Sequence, residues 1–140
     1  KVLDLACGNG VIATQIKTQK PDAEIHLLDD SYLAIESSKL NIDEAHFHWN
    51  DSLEDFEDGT FDLIASNPPF HFEYETNIEV SLNLFEQAHK RLKTSGRFIV
   101  VANQHLNYKT HLDKIFTSCS ISAENDKFVV YECLKTNIKD

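Results

Sequence analysis

Asn67-Pro68-Pro69-Phe70 stands directly after the apolar run Phe61-Asp62-Leu63-Ile64-Ala65-Ser66. A strand that ends in Asn-Pro-Pro-aromatic suits methyl transfer to a planar, weakly basic amine. The lone pair of an exocyclic amine on a nucleobase is delocalised into the ring, so the nitrogen is a poor nucleophile. The Asn67 side-chain oxygen and the Pro68 carbonyl could accept the two amine hydrogens and turn the lone pair outward. Pro69 stiffens the turn, because proline fixes φ and restricts its predecessor. Phe70 offers a ring on which an extruded base can stack. The plainer alternative is a turn-initiating Asn-Pro with Phe70 in the core.

Three other loops carry groups that suit one ligand. Cys7-Gly8-Asn9-Gly10 opens a helix, and its glycines permit tight turns and close approach of a ligand. Asp29, followed by Asp30, ends the next strand, where a carboxylate can accept hydrogen bonds from ribose hydroxyls. Asn50-Asp51 follows the third strand and is suitably polar for an adenine amine. Gly8, Gly10 and Ala13 also satisfy G-x-G-x-x-A, with Asp29 at the spacing of dinucleotide-binding folds. Two features favour a cationic ligand over a dinucleotide. Asp4 lies inside the first strand, where a carboxylate is costly unless it serves a cation or a donor. The Asn-Pro-Pro-Phe turn has no role in hydride transfer. S-adenosylmethionine presents an ammonium and a sulfonium, whereas a pyrophosphate would be repelled.

These loops must be held by a scaffold, and hydrophobic periodicity predicts one. Strands are expected at about Val2–Ala6, Glu24–Asp29, Ala45–Trp49, Phe61–Ser66 and Arg97–Ala102. Helices are expected at about Val11–Lys20, with Val11, Ile12, Gln15 and Ile16 at helical spacing, from a Ser31 cap to Leu40, at about Asn77–Lys93 with a stop at Gly96, and at Tyr108–Phe116. Cys119–Ala123 and Phe128–Leu134 flank Glu124-Asn125-Asp126-Lys127, which reads as an antiparallel hairpin. The expected fold is α/β, a doubly wound, seven-stranded, mostly parallel sheet with a C-terminal antiparallel hairpin. Ligands on such sheets bind outside the carboxyl ends of the strands, which gathers the four loops around one crevice.

With 140 residues, 41% hydrophobic and 26% charged, the composition is that of one globular domain. No apolar run approaches the roughly 18 residues of a membrane span. The three cysteines, Cys7, Cys119 and Cys133, have neither disulfide-framework nor metal-ligand spacing; the expectation is reduced thiols in the cytoplasm and no metal. The net charge of −10 is uneven, since residues 1–70 hold 4 Lys against 14 Asp and Glu while the remainder is balanced. Phosphate contacts supply most nucleic-acid affinity, so tight RNA binding by this chain alone is not expected. The chain has no Met and opens on a strand, which leads to the expectation of a fragment with an upstream region missing.

Val2-Leu3-Asp4-Leu5-Ala6-Cys7-Gly8-Asn9-Gly10 resembles the first motif of class I S-adenosylmethionine-dependent methyltransferases, which share a Rossmann-like fold. Asn67-Pro68-Pro69-Phe70-His71, with Val101-Ala102-Asn103-Gln104-His105-Leu106-Asn107-Tyr108, resembles the ribosomal RNA guanine exocyclic-amine methyltransferases, those of the small and of the large ribosomal particle. The resemblance covers essentially the whole chain. It implies the catalytic second of two tandem domains, spanning 1–140, that methylates the 2-amino group of a guanine in ribosomal RNA. It further implies Asp4 and the Cys7–Gly10 turn at the methionine end of the cofactor, Asp29 at the ribose and Asn50-Asp51 at the adenine, with Asp30 also among the cofactor-binding residues. Asn67, Pro68 and Phe70 would hold the acceptor, with Asn67 also lining the cofactor pocket. The same amine-holding turn would serve methylation of DNA adenine or of a protein glutamine, and a silent cofactor-binding domain is the non-enzymatic alternative. His71 and His105 are read as structural rather than as bases.

Overall fold

The computed structural model describes residues 1–5, 10–66, 78–104 and 108–136, the side chains of residues 78 and 80 excepted. Strands β1 (Val2–Leu5), β2 (Ile25–Asp29), β3 (His46–Trp49), β4 (Phe61–Ser66), β5 (Leu92–Asn103), β6 (Ser118–Glu124) and β7 (Phe128–Leu134) form one sheet in the order β3-β2-β1-β4-β5-β7-β6. Helices α1 (Val11–Gln19), α2 (Tyr32–Asn41), α3 (Ile78–Arg91) and α4 (Tyr108–Ile115) connect them. The first five strands pair in parallel, and β7 runs antiparallel between β5 and β6. This is the expected doubly wound sheet with its terminal hairpin. Asn125 closes the hairpin turn, its Oδ1 accepting from the amides of Lys127 and Phe128 at 2.8 Å each.

Every residue of β1 and β2 is buried, because a central parallel strand is covered on both faces. Alternation then divides each strand between two cores. Val2, Ile25 and Leu27 pack with Ala13 of α1 and Ile35 of α2. Leu3, Leu5 and Leu28 join Phe61, Phe85, Phe98 and Leu112 on the α3 and α4 side. Fully burying each such Leu or Phe contributes about 1.5–3 kcal/mol. Asp4 and Asp29 alternate onto the α1 and α2 side, which matters below.

Three local expectations are corrected. Helix α1 turns Val11 outward, 56% exposed, and seats Ala13 against the sheet instead. Helix α3 ends at Arg91 rather than near Lys93, because Leu92 is buried and pairs with Phe61. Leu63 next pairs with Arg97, so residues 93–96 bulge out of the ladder with Ser95 at φ 73°. Gly96 belongs to that bulge, not to a helix cap: a Cβ there would lie 2.8 Å from the Lys93 carbonyl oxygen and 3.2 Å from that of Asp62. Next to α1, an apolar groove of about 360 Å³ lined by Val2, Ile12, Ile16, Ala65, Ile99 and Val101 lies along the sheet face.

Candidate active site

The C-terminal ends of β1, β2 and β4 lie level, since Leu5 is in register with both Leu28 and Ser66. Asp4 sits one residue inside that edge and is 1% exposed. Its Oδ2 accepts the Ala13 amide of α1 at 3.2 Å. The first amides of a helix lack intrahelical partners, and Gly10, the N-cap of α1, brings no capping side chain. The strand carboxylate therefore takes over part of the capping.

The other oxygen, Oδ1, is buried with no hydrogen-bond partner among the described residues. Burial pushes the Asp4 carboxyl up from 3.8 to about 7; the Ala13 amide opposes the shift and the Asp29 charge adds to it. A group so placed gains from any cation or donor that reaches Oδ1. Gly10 holds the turn above it at φ 85°, ψ 21°, a left-handed conformation that costs a side-chain-bearing residue about 1–2 kcal/mol. A Cβ on Gly10 would also stand 3.3 Å from the Cβ and Oγ of Ser38 on α2.

Asp29 ends β2 and is 7% exposed. Its Oδ1 accepts the Ser31 amide at 2.9 Å, and Ser31 in turn caps α2 by accepting the Ala34 amide at 3.2 Å. The expected Ser31 cap is present, and Asp29 supports it from the strand. Asp30 is exposed, yet partial burial and then its hydrogen bond to Asp29 raise its carboxyl above the usual range. Asp4, Asp29 and Asp30 thus form an acidic wall that favours a cationic or hydroxyl-bearing ligand and disfavours a pyrophosphate.

The loop after β3 is anchored twice to α3. Leu53 donates its amide to Gln87 Oε1 at 2.7 Å, and Arg91 Nε donates to the Leu53 carbonyl at 2.9 Å. The Asn50 amide donates to the Asp29 carbonyl at 3.0 Å, which brings this loop to the β2 end. The Asn50 side chain shapes this loop: its Oδ1 accepts the amides of Asp51 and Ser52, and its Nδ2 donates to Asp55. Its side chain is committed to shaping the turn, whereas Asp51 is exposed. Cys7, Gly8, Asn9, Asn67, Pro68, Phe70, His71 and His105 lie outside the described residues.

An aromatic pair beside the acidic wall was not anticipated. Tyr32 and Trp49 are 53% and 64% exposed, with ring centroids 5.1 Å apart at 63°. Trp49 Nε1 donates to the Asp30 carbonyl at 3.1 Å. Their signal in the sequence is a large aromatic placed directly at a strand end and at a helix start.

The profile of the methyltransferase small domain matches residues 1–132. The chain belongs to that family. Among curated methyltransferase relatives, the ribosomal RNA large subunit methyltransferase G of Psychromonas ingrahamii is 36% identical over 144 residues, covering 96% of this chain and 38% of that protein. The namesake from Alcanivorax borkumensis is 42% identical over 139 residues, covering 95% of this chain and 35% of its own length. This methyltransferase domain therefore spans little more than a third of those relatives. Among solved structures, the 16S rRNA N2 G1207 methyltransferase of T. Thermophilus, in complex with AdoMet and guanosine, superposes with a TM-score of 0.83 at 25% identity, over 96% of this chain and 37% of that one. A TehB-like SAM-dependent methyltransferase from Corynebacterium glutamicum shares the fold, with a TM-score of 0.72 at 16% identity over 97% of this chain and 79% of its own. No described helix is long and apolar enough to cross a membrane.

Proposed function

We propose that this domain transfers a methyl group from S-adenosylmethionine to the exocyclic 2-amino group of a guanine in ribosomal RNA. The observation that carries the reading is Asp4: a buried strand-end carboxylate, one oxygen capping α1 and the other unpartnered among the described residues, beside Asp29. A pocket built this way fits the cationic methionine end of the cofactor. The names of the relatives and the guanosine of the T. Thermophilus complex supply the acceptor class.

In this reading Asp4 Oδ1 and the turn ending at Gly10 receive the ammonium and carboxylate. Asp29, held at the strand end by the Ser31 amide, accepts from the ribose hydroxyls. Asp51 faces the adenine, and Asn50 only holds the loop that presents it. Asn67 and Pro68 accept the two amine hydrogens of the extruded guanine, and Phe70 stacks on its ring. The bound cofactor contributes an electrophilic methyl on a sulfonium. The protein's share is positioning, together with acceptors aimed at charge developing on nitrogen. The chain is the catalytic part of a longer cytoplasmic protein, and its charge of −10 assigns most RNA affinity to the rest of that protein.

Calorimetry tests the cofactor half: S-adenosylmethionine or its demethylated product should bind, and Asp29→Ala should weaken binding by about 1–3 kcal/mol. Preference for a nicotinamide dinucleotide would overturn the assignment. Methylation of ribosomal RNA, with the product nucleoside identified by mass spectrometry, tests the acceptor. The 140-residue chain should methylate weakly until joined to the remainder of the protein, and a product methylated on any atom but the guanine 2-amine would refute the acceptor.

A further inference from the structure

A second polar cluster lies on the face of the sheet opposite Asp4, toward the start of β2 and along β3. Glu24 and His26 are two residues apart on one chain segment, and His46 and His48 are two apart on its neighbour. Ile25, between the first two, turns into the other core with Val2 and Leu27. Period-two alternation puts all four ligand-type side chains on one face, and His26 is in direct register with His46.

Ring geometry bears out the grouping. His26 stacks on His46 with centroids 4.5 Å apart at 18°, and on His48 at 5.2 Å and 16°. His26 Nε2 lies 2.7 Å from Glu24 Oε2, and its Nδ1 lies 2.9 Å from His48 Nε2. Ligand atoms of Glu24, His26 and His46 all fall within 4.8 Å of one another. Around a tetrahedral ion with bonds of about 2.0–2.1 Å, ligand atoms stand about 3.4 Å apart, so modest rotations close this set on a metal. Phe56 and Phe61 wall His26 edge-on at 5.9 and 5.5 Å, while Glu24 and His46 are exposed and leave a path of entry.

We propose that Glu24, His26 and His46 bind one divalent transition-metal ion of the zinc class, clipping the edge strand β3 to β2. Two imidazoles and one carboxylate suit zinc, cobalt, nickel or copper better than calcium or magnesium, which take oxygen ligands. His48, on the second nitrogen of His26, sets the tautomer and orientation as outer-shell partners of metal-bound histidines do. Lys1 Nζ, 3.7 Å from Glu24 Oε2, is the cation that the metal displaces. The role is structural: β3 has four residues and pairs only with β2 among the described strands, and the loop it leads into carries Asp51.

Titration calorimetry of the chain with Zn²⁺, and visible spectra with Co²⁺, test the proposal. One ion per chain should bind, with Co²⁺ showing nitrogen and oxygen ligation and no sulfur charge-transfer band. His46→Ala and Glu24→Gln should each weaken Zn²⁺ binding at least about tenfold, since even outer-shell changes cost 10–100-fold. Both side chains are exposed, so circular dichroism should remain that of the wild type, and Zn²⁺ should raise the thermal midpoint of the wild type alone. Cys119→Ser should bind as the wild type does. Failure of the wild type to bind, unchanged affinity in both variants, or a sulfur signature would overturn the site.

Discussion

Asp4 and His26 lie on neighbouring parallel strands and on opposite faces of the sheet, and burial leaves them in opposite conditions. Asp4 keeps one oxygen without a partner among the described residues, whereas His26 has a partner on each ring nitrogen. A buried polar atom left unpaired costs about 1–3 kcal/mol, so the strand-end carboxylate is destabilising until something cationic arrives. The histidine cluster stabilises itself and is marked out by ligand chemistry instead. Burial therefore points to a site on one face through a deficit, and on the other through the types of side chain assembled.

The two faces also answer pH in opposite senses. The Asp4 carboxyl is raised from 3.8 to about 7, so the folded chain holds a proton that the unfolded chain has released. Its contribution to stability falls as pH rises through that window and is constant above it. His26 and His48 are held below their ordinary 6.5, chiefly by burial. The unfolded chain takes up protons there first, so their contribution falls as pH drops below 6.5.

Replacing Asp4 by Asn gives the largest expected effect. Thermal unfolding across pH should show the variant gaining on the wild type between about pH 4 and 7, by up to roughly 4 kcal/mol, and no further above. A difference independent of pH would mean that Asp4 does not carry the proton. Asn67→Ala should lower turnover about 100-fold with cofactor affinity little changed; near-normal turnover would reduce Asn67 to a turn residue. His26→Gln disrupts both contacts of the histidine cluster and should cost about 1–3 kcal/mol, with less loss of stability on acidification than the wild type shows. Gly10→Ala should cost about 1–2 kcal/mol from the left-handed backbone, measurable by denaturant unfolding, and a neutral result would show that the turn can relax.

Much of the fold was legible because its signals are local. The apolar stretches Val2–Leu5 and Ile25–Leu28 are short and bounded by loop residues, as buried parallel strands are, and Asn125 marks the hairpin turn through its own amide-binding side chain. Expectations failed where packing distance ruled. Val11 matched helical spacing but faces water, and Gly96 serves a bulge pressed against β4. The histidine cluster escaped notice because its halves, Glu24 with His26 and His46 with His48, are far apart in sequence and meet only through the β2–β3 register.

Sequence by itself determined the order of elements and the family resemblance, because periodicity, turn chemistry and motif spacing act over a few residues. Only the tertiary structure decided the state of the charges. That Asp4 caps α1 with one oxygen and strands the other, and that His26 is paired twice, depends on which groups burial brings within hydrogen-bond reach. Desolvation acts through space, and no spacing along the chain encodes it.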